Sequence, residues 1–92
     1  MKNSKPMNLS KEELCISVGK VIRELRINKK MSIEALANQT GIGYSQLSRI
    51  ERGKINTSLY QFYLIIVTIN PPMNTVMKEL IKSIINHHKN LN

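Results

Sequence analysis

Apolar residues recur along this chain at helical rather than alternating spacing. Leu14, Val18, Val21, Ile22 and Leu25 follow one another at i, i+4, i+7, i+8 and i+11, a single stripe on one helix. Ser10 with Glu13 three residues later fits a capping box, so this helix is expected over residues 11–28. Gly19 within it costs about 1 kcal/mol relative to alanine. Ser32 is the next N-cap candidate, with Glu34 in the first turn. A short second helix is expected over 33–40, with Leu36 and Ala37 inward and Gly41 as its stop. A third helix is expected from Tyr44 to about Arg52, closed by Gly53. Leu47 and Ile50 mark its buried side, and at 100° per residue the opposite face holds Ser45, Ser48, Arg49 and Arg52. Glu51 projects close to the buried side, an unusual place for a free acid. After a loop over 54–57, Ser58 or Thr57 caps a fourth helix over 59–69. Its stripe is Leu59, Phe62, Ile65, Ile66 and Ile69, widened nearly all round by Tyr60, Tyr63, Leu64 and Val67. Taken alone, the β-branched run Leu64–Ile69 also fits a strand; the helical period around it favours a helix. Pro71-Pro72 break the chain. A fifth helix is expected over about 74–88, with Met73, Val76, Met77, Leu80, Ile81, Ile84 and Ile85 on one side and Lys78, Lys82 and Asn86 on the other.

Five helices and no convincing strand predict an all-α bundle, and 92 residues hold one small domain. The organisation expected is a flexible arm over 1–10, a compact unit over 11–70, and a C-terminal helical segment over 71–92 with a frayed end. At 41% hydrophobic residues the chain is too apolar for a disordered tail. One cysteine excludes a disulfide framework within the chain and suits a reducing, cytoplasmic home. Residues 1–10 lack the apolar run of a secretory signal. The most apolar stretch, Leu59–Ile69, is far shorter than the ~20 residues of a membrane helix, so a soluble protein is expected.

The net charge is +8, from 14 Lys and Arg against 6 acids. Lysine excess alone is often only a solvated surface. The arginines carry more weight, because Arg23, Arg26, Arg49 and Arg52 all fall in the central block and arginine makes planar bidentate contacts. That block contains Ser32–Gly53, SIEALANQTGIGYSQLSRIERG, in which two short helices meet through a glycine turn. Ala37 is small where the helices must approach, Gly41 follows four residues later, and Leu47 and Ile50 complete a shared mini-core. This spacing is a helix-turn-helix pattern. Such a turn projects the second helix so that its N-terminal half can enter the DNA major groove.

From about Val18 to Ile69 the sequence closely resembles the phage repressor and Cro class of helix-turn-helix proteins, the XRE family. The stretches that carry the resemblance are IRELR (Ile22–Arg26), MSIEALANQTGI (Met31–Ile42) and LSRIERGK (Leu47–Lys54). The resemblance implies a lambda-repressor-like fold and a recognition helix whose early residues read base edges. The matching positions are Tyr44, Ser45 and Arg49, with Ser48 and Gln46 second in rank. Arg49 could grip guanine O6 and N7 bidentately, about 1–3 kcal/mol of discrimination. Family phosphate contacts match Ser32, Gly43, Arg52, Lys54 and Asn56; backbone N–H groups at helix starts bind phosphate readily. The family also pairs the residue matching Glu51 with an arginine of the first helix, here Arg26. Three positions depart from the pattern. Ile33 stands where many relatives carry a phosphate-touching Gln, Gly43 replaces a frequent Ser or Thr cap, and Asn56-Thr57 replaces Asn-Pro.

The remaining chemistry is sparse. Cys15 lies on or near an apolar side and is expected to pack. His87 and His88 are adjacent, point about 100° apart and are poorly placed to share a metal. No nucleophile constellation or glycine-rich phosphate loop is present, so neither an enzyme, a cofactor nor a metal site is expected. The apolar faces of the fourth and fifth helices exceed what a small monomer covers. A two-fold homodimer is therefore expected, with Leu64, Val67, Val76, Met77, Leu80, Ile81 and Ile84 in the interface; the alternative is that the fifth helix folds back over its own core. The reading is a dimeric, sequence-specific transcriptional regulator on a palindromic site in double-stranded DNA, possible autoregulation included. The resemblance extends to phage-type repressors and to controller proteins of restriction–modification operons. Alternatives are an antitoxin that represses its own operon and binds a toxin, and a protein–protein interaction module that has lost specific DNA reading.

Overall fold

The computed structural model describes residues 9–90, apart from the side chains of Met73, Met77, Ser83, Ile84 and residues 86–90. Residues 1–8 of the expected arm lie outside the described residues, as do the side chains of Met77, Ile84, His87 and His88. Five α-helices follow one another: α1 (Lys11–Asn28), α2 (Ile33–Thr40), α3 (Tyr44–Glu51), α4 (Leu59–Ile69) and α5 (Met73–Asn90). The segment that fitted either helix or strand, Leu64–Ile69, is helical, and no strand occurs among the described residues. Only the third and fifth helices depart from the expected bounds. α3 ends one residue earlier, at Glu51, and α5 starts directly after the prolines and continues to Asn90. The Thr75 N–H donates to Pro72 O at 2.9 Å, so the first turn of α5 is set by the proline itself.

Local chemistry explains the helix ends. Ser10 Oγ accepts from the Glu13 N–H at 3.1 Å, and the Ser10 N–H donates to Glu13 Oε1 at 2.8 Å, a complete capping box. Ser32 Oγ accepts from the Ala35 N–H and Ser58 Oγ from the Gln61 N–H, each at 3.0 Å. Gly41 stops α2 with φ +79° and Gly53 turns the chain after α3 with φ +71°, conformations that side-chain-bearing residues rarely adopt.

The core is one cluster at the meeting of all five helices. Ile22, Leu36, Leu47, Ile50 and Ile65 are essentially inaccessible. Each such side chain contributes about 1.5–3 kcal/mol relative to exposure. α1 packs against α3, α4 and α5, while α2 packs against α3 and α4. At Gly19 the approach of α1 to the end of α3 is so close that a Cβ there would fall on the Ile50 carbonyl oxygen and sit 2.7 Å from that of Glu51. The glycine that weakens α1 in isolation is what lets α3 dock.

α5 packs along α1, as the fold-back alternative has it. Val76 is buried in the chain's own core, and Leu80, half-buried, packs against that core while also lining an apolar groove. Leu64 is half-buried, whereas Val67 and Ile81 remain outward at about half exposure, joined by Ile85. Leu14 and Leu59, both placed on inward stripes by spacing, are exposed, Leu59 at 84%.

Candidate nucleic-acid interface

The α2–turn–α3 unit rests on Leu36, Ala37, Ile42, Leu47 and Ile50, all buried. Ala37 keeps the two helices close, and Ile42 plugs the turn into the core. The turn runs Thr40-Gly41-Ile42-Gly43. Gly43 occupies the N-cap position of α3 in extended conformation (φ −59°, ψ 145°) with no side-chain cap.

α3 has two contrasting sides. On the inner side, Glu51 is buried and paired with Arg26: Nε donates to Glu51 Oε2 at 2.7 Å and Nη2 to Oε1 at 3.0 Å. Nη1 donates to Met31 O at 2.8 Å, so one guanidinium ties the end of α3 to α1 and to the turn that follows α1. The hydrogen bond to Glu51 raises the Arg26 pKa above its usual value against the opposing effect of burial, with smaller contributions from the Glu51 charge and the nearby Tyr44. The pair is bidentate and desolvated, a geometry that repays burial better than a surface contact does.

On the outer side, Ser45, Gln46, Arg49 and Arg52 are exposed, Ser48 is half-buried and Tyr44 is 53% exposed. The guanidinium of Arg49 has no hydrogen bond or ion pair among the described residues. Arg52 Nε donates back to Ser48 O at 3.3 Å. Lys54 and Asn56 lie exposed in the loop after α3, and Gly43 is exposed at its start with open space around it. Ser32 is exposed at the start of α2, where its hydroxyl is engaged as the cap. The candidates from α3 and its flanking loops are thus solvent-accessible, Ser48 half-buried, and Tyr44 stands two turns before Glu51.

Two features escaped the sequence reading. Thr40, taken only as the last residue of α2, has its hydroxyl inside the turn, donating to Leu36 O at 2.7 Å and accepting from the Ile42 N–H at 3.2 Å. The signal was available: a threonine directly before a helix-stopping glycine can bond back to the helix and forward to the turn. The second is an apolar groove of about 330 Å³ behind the interface, lined by Leu14, Cys15, Val18, Ile55, Phe62 and Leu80, with Asn56, Thr57 and Ser58 on its polar rim. It arises from contacts distant in sequence and had no local signature.

Comparison with known proteins bears on the same unit. A family model described as helix-turn-helix matches residues 22–70, just over half of the chain. Among solved structures, the chain is similar to the restriction-modification controller protein C.Esp1396I, seen as a tetramer in complex with its natural 35 base-pair operator. That likeness has a TM-score of 0.70 at 29% identity, covering 78% of this chain and 95% of the other. The controller protein C.AhdI from Aeromonas hydrophila is similar at TM-score 0.62 and 29% identity, over 67% of this chain and 94% of that one. The clp gene regulator ClgR from Corynebacterium glutamicum reaches TM-score 0.76 at 21% identity, over 92% and 86%, which is a likeness of fold. No match is found among the curated proteins. Among the described residues, no helix is long and apolar enough to cross a membrane.

Proposed function

The chain belongs to the helix-turn-helix family of DNA-binding regulators, of the phage-repressor type, and from that premise we propose that it is a homodimeric regulator reading a palindromic operator through the major groove. Residues 11–70 carry DNA binding in this reading. The helix within 71–92 serves the protomer's own core and, by its outward face, the dimer. Arg49 reads a guanine, Ser45, Gln46 and Ser48 make weaker base-edge contacts, and Tyr44 touches a thymine methyl or a phosphate. Arg52, Lys54, Asn56, the Gly43 amide and the start of α2 at Ser32 hold phosphates and set the register.

The observation that supports this most is the two-sidedness of α3. Its inner acid is neutralised by Arg26, while its outer face offers Arg49 with no partner among the described residues. The likeness to a controller solved as a tetramer on its natural operator supports a multimeric, operator-bound state. In this reading Val67, Ile81 and Ile85, each about half exposed, lie in the dimer interface together with half-buried Leu64. Two recognition helices would then stand ~34 Å apart, one turn of DNA. Repression of its own promoter follows if the operator overlaps that promoter.

In vitro selection from random duplex DNA at physiological salt tests the reading. Salt matters because a chain of net charge +8 binds any DNA at low salt. An enriched inverted repeat is the expected result. Salt-labile binding with no enrichment would overturn it and favour a protein-interaction role for the apolar α4–α5 face.

A further inference from the structure

The turn between α2 and α3 is built from residues that offer little stiffness. Gly41 and Gly43 flank Ile42, and a Cβ added at either glycine would meet nothing within 4 Å, so no neighbour presses on the turn at these two positions. The N-cap position of α3 supplies no side-chain hydrogen bond. Leu47, Ile50 and the Arg26–Glu51 pair anchor the body of α3; at its entry two contacts act within the turn, the buried Ile42 side chain and the Thr40 hydroxyl. The hydroxyl donates to Leu36 O at 2.7 Å, lies 3.3 Å from Ala37 O, and accepts from the Ile42 N–H at 3.2 Å. One oxygen therefore joins the last turn of α2 to the residue that leads into α3. The neighbouring Gly41 N–H bonds to Ala37 O at 2.9 Å, which closes α2 but does not reach α3.

We propose that Thr40 is a positioning residue for DNA recognition: its hydroxyl clamps the turn and so fixes the angle at which α3 presents Ser45 and Arg49. The clamp acts one residue before the uncapped Gly43, on the Ile42 N–H. Base reading depends on this angle far more than phosphate contact does, because a bidentate contact tolerates little displacement, whereas a lysine or arginine finds a phosphate from many directions. The proposal rests on the operator-reading function above. Losing the clamp lowers sequence discrimination while leaving general DNA affinity in place.

The test uses the full chain with Thr40→Val, nearly isosteric but unable to hydrogen-bond, and Thr40→Ser, which keeps the hydroxyl. Three quantities are measured: amide hydrogen exchange at Ile42, the ratio of affinities for the selected operator and for scrambled duplex at fixed salt, and the thermal midpoint. In Thr40→Val, Ile42 exchange accelerates and the affinity ratio falls roughly 3- to 10-fold, the scale of one neutral hydrogen bond, with scrambled-duplex affinity unchanged. Thr40→Ser stays within about twofold of the parent in exchange and ratio, again well inside one hydrogen bond. A Thr40→Val protein whose exchange and ratio match the parent overturns the proposal. So does one in which both affinities fall together with the thermal midpoint, the mark of a purely structural role. If Thr40→Val does not fold, Thr40→Ser decides: parental discrimination upholds the clamp, and lost discrimination refutes it. A parent with no preference for any duplex refutes operator reading and the discrimination claim with it, while Ile42 exchange still reports whether the hydroxyl holds the turn.

Discussion

The α2–α3 unit and the outward faces of α4 and α5 solve opposite surface problems. α3 hides its one acid behind Arg26 and turns Ser45, Gln46 and Arg49 outward, with Arg52 exposed just beyond its end. α4 and α5 turn Tyr60, Tyr63, Val67, Ile81 and Ile85 outward, with the Tyr60 and Tyr63 rings stacked at a centroid separation of 6.2 Å. The first surface is stable in water and suited to a polyanion. The second leaves large apolar side chains exposed on two helices, a surface that gains from cover. A chain this small can bury only part of its apolar surface alone. α5 illustrates the compromise, giving Val76 and Leu80 to its own core while Ile81 and Ile85 remain outside.

The sharpest way to break the first unit is to remove Glu51. Glu51→Ala leaves Arg26 half-buried without its bidentate partner, and unfolding free energy is expected to fall by about 3–5 kcal/mol. Urea denaturation measures it, and a loss below 1 kcal/mol would show that the pair is not what joins α3 to α1. Gly19→Ala should cost less, about 1–3 kcal/mol from overpacking, because α1 must retreat from the Ile50 carbonyl. A stabilised Gly19→Ala, as helix propensity alone requires, would disprove that close approach.

These two residues also show what could be read from sequence. The helices, their serine caps and the glycine stops rest on local chemistry, and they fall within a residue or two of the spacing-based reading. The Arg26–Glu51 contact was accessible only through family likeness, since 25 residues separate the partners. The docking role of Gly19 was not accessible, because spacing registers a glycine in a helix only as a weakness. For Val76 and Leu80, periodicity identifies an apolar face and not what covers it. α1 covers it here. Among the recognition candidates, the outward side of α3 followed from the positions of Leu47 and Ile50, while the hydroxyl bridge at Thr40 needed the turn's geometry.

Functional substitutions separate the two units. Arg49→Ala is expected to weaken operator binding by about 1–3 kcal/mol and to leave thermal stability and oligomeric state unchanged. Retained discrimination at every operator position would remove Arg49 from base reading. Val67→Glu is expected to raise the dimer dissociation constant about tenfold, near 1.4 kcal/mol, without altering the monomer fold; analytical ultracentrifugation reads it. An unchanged constant would place the interface elsewhere. Each substitution should leave the other unit's property intact, and a crossed effect would mean that the two surfaces are coupled through the core.

The smallest expected effect sharpens the comparison most finely. Gly43 has the extended backbone that an N-cap residue adopts, and a Cβ there meets nothing within 4 Å. Gly43→Ser can therefore place a hydroxyl on the free N–H groups of α3 without strain. Glycine is itself a tolerable cap, so the expected gain is only a few tenths of a kcal/mol, visible as a small rise in the urea midpoint at unchanged slope. DNA affinity should move the other way if the Gly43 amide region holds a phosphate, because the new hydroxyl occupies the same donors. A variant more stable and weaker on every duplex would show that the absent cap belongs to the binding surface. A variant more stable and equally tight would assign the phosphate contacts to Arg52, Lys54 and Asn56, leaving the glycine as a plain helix start.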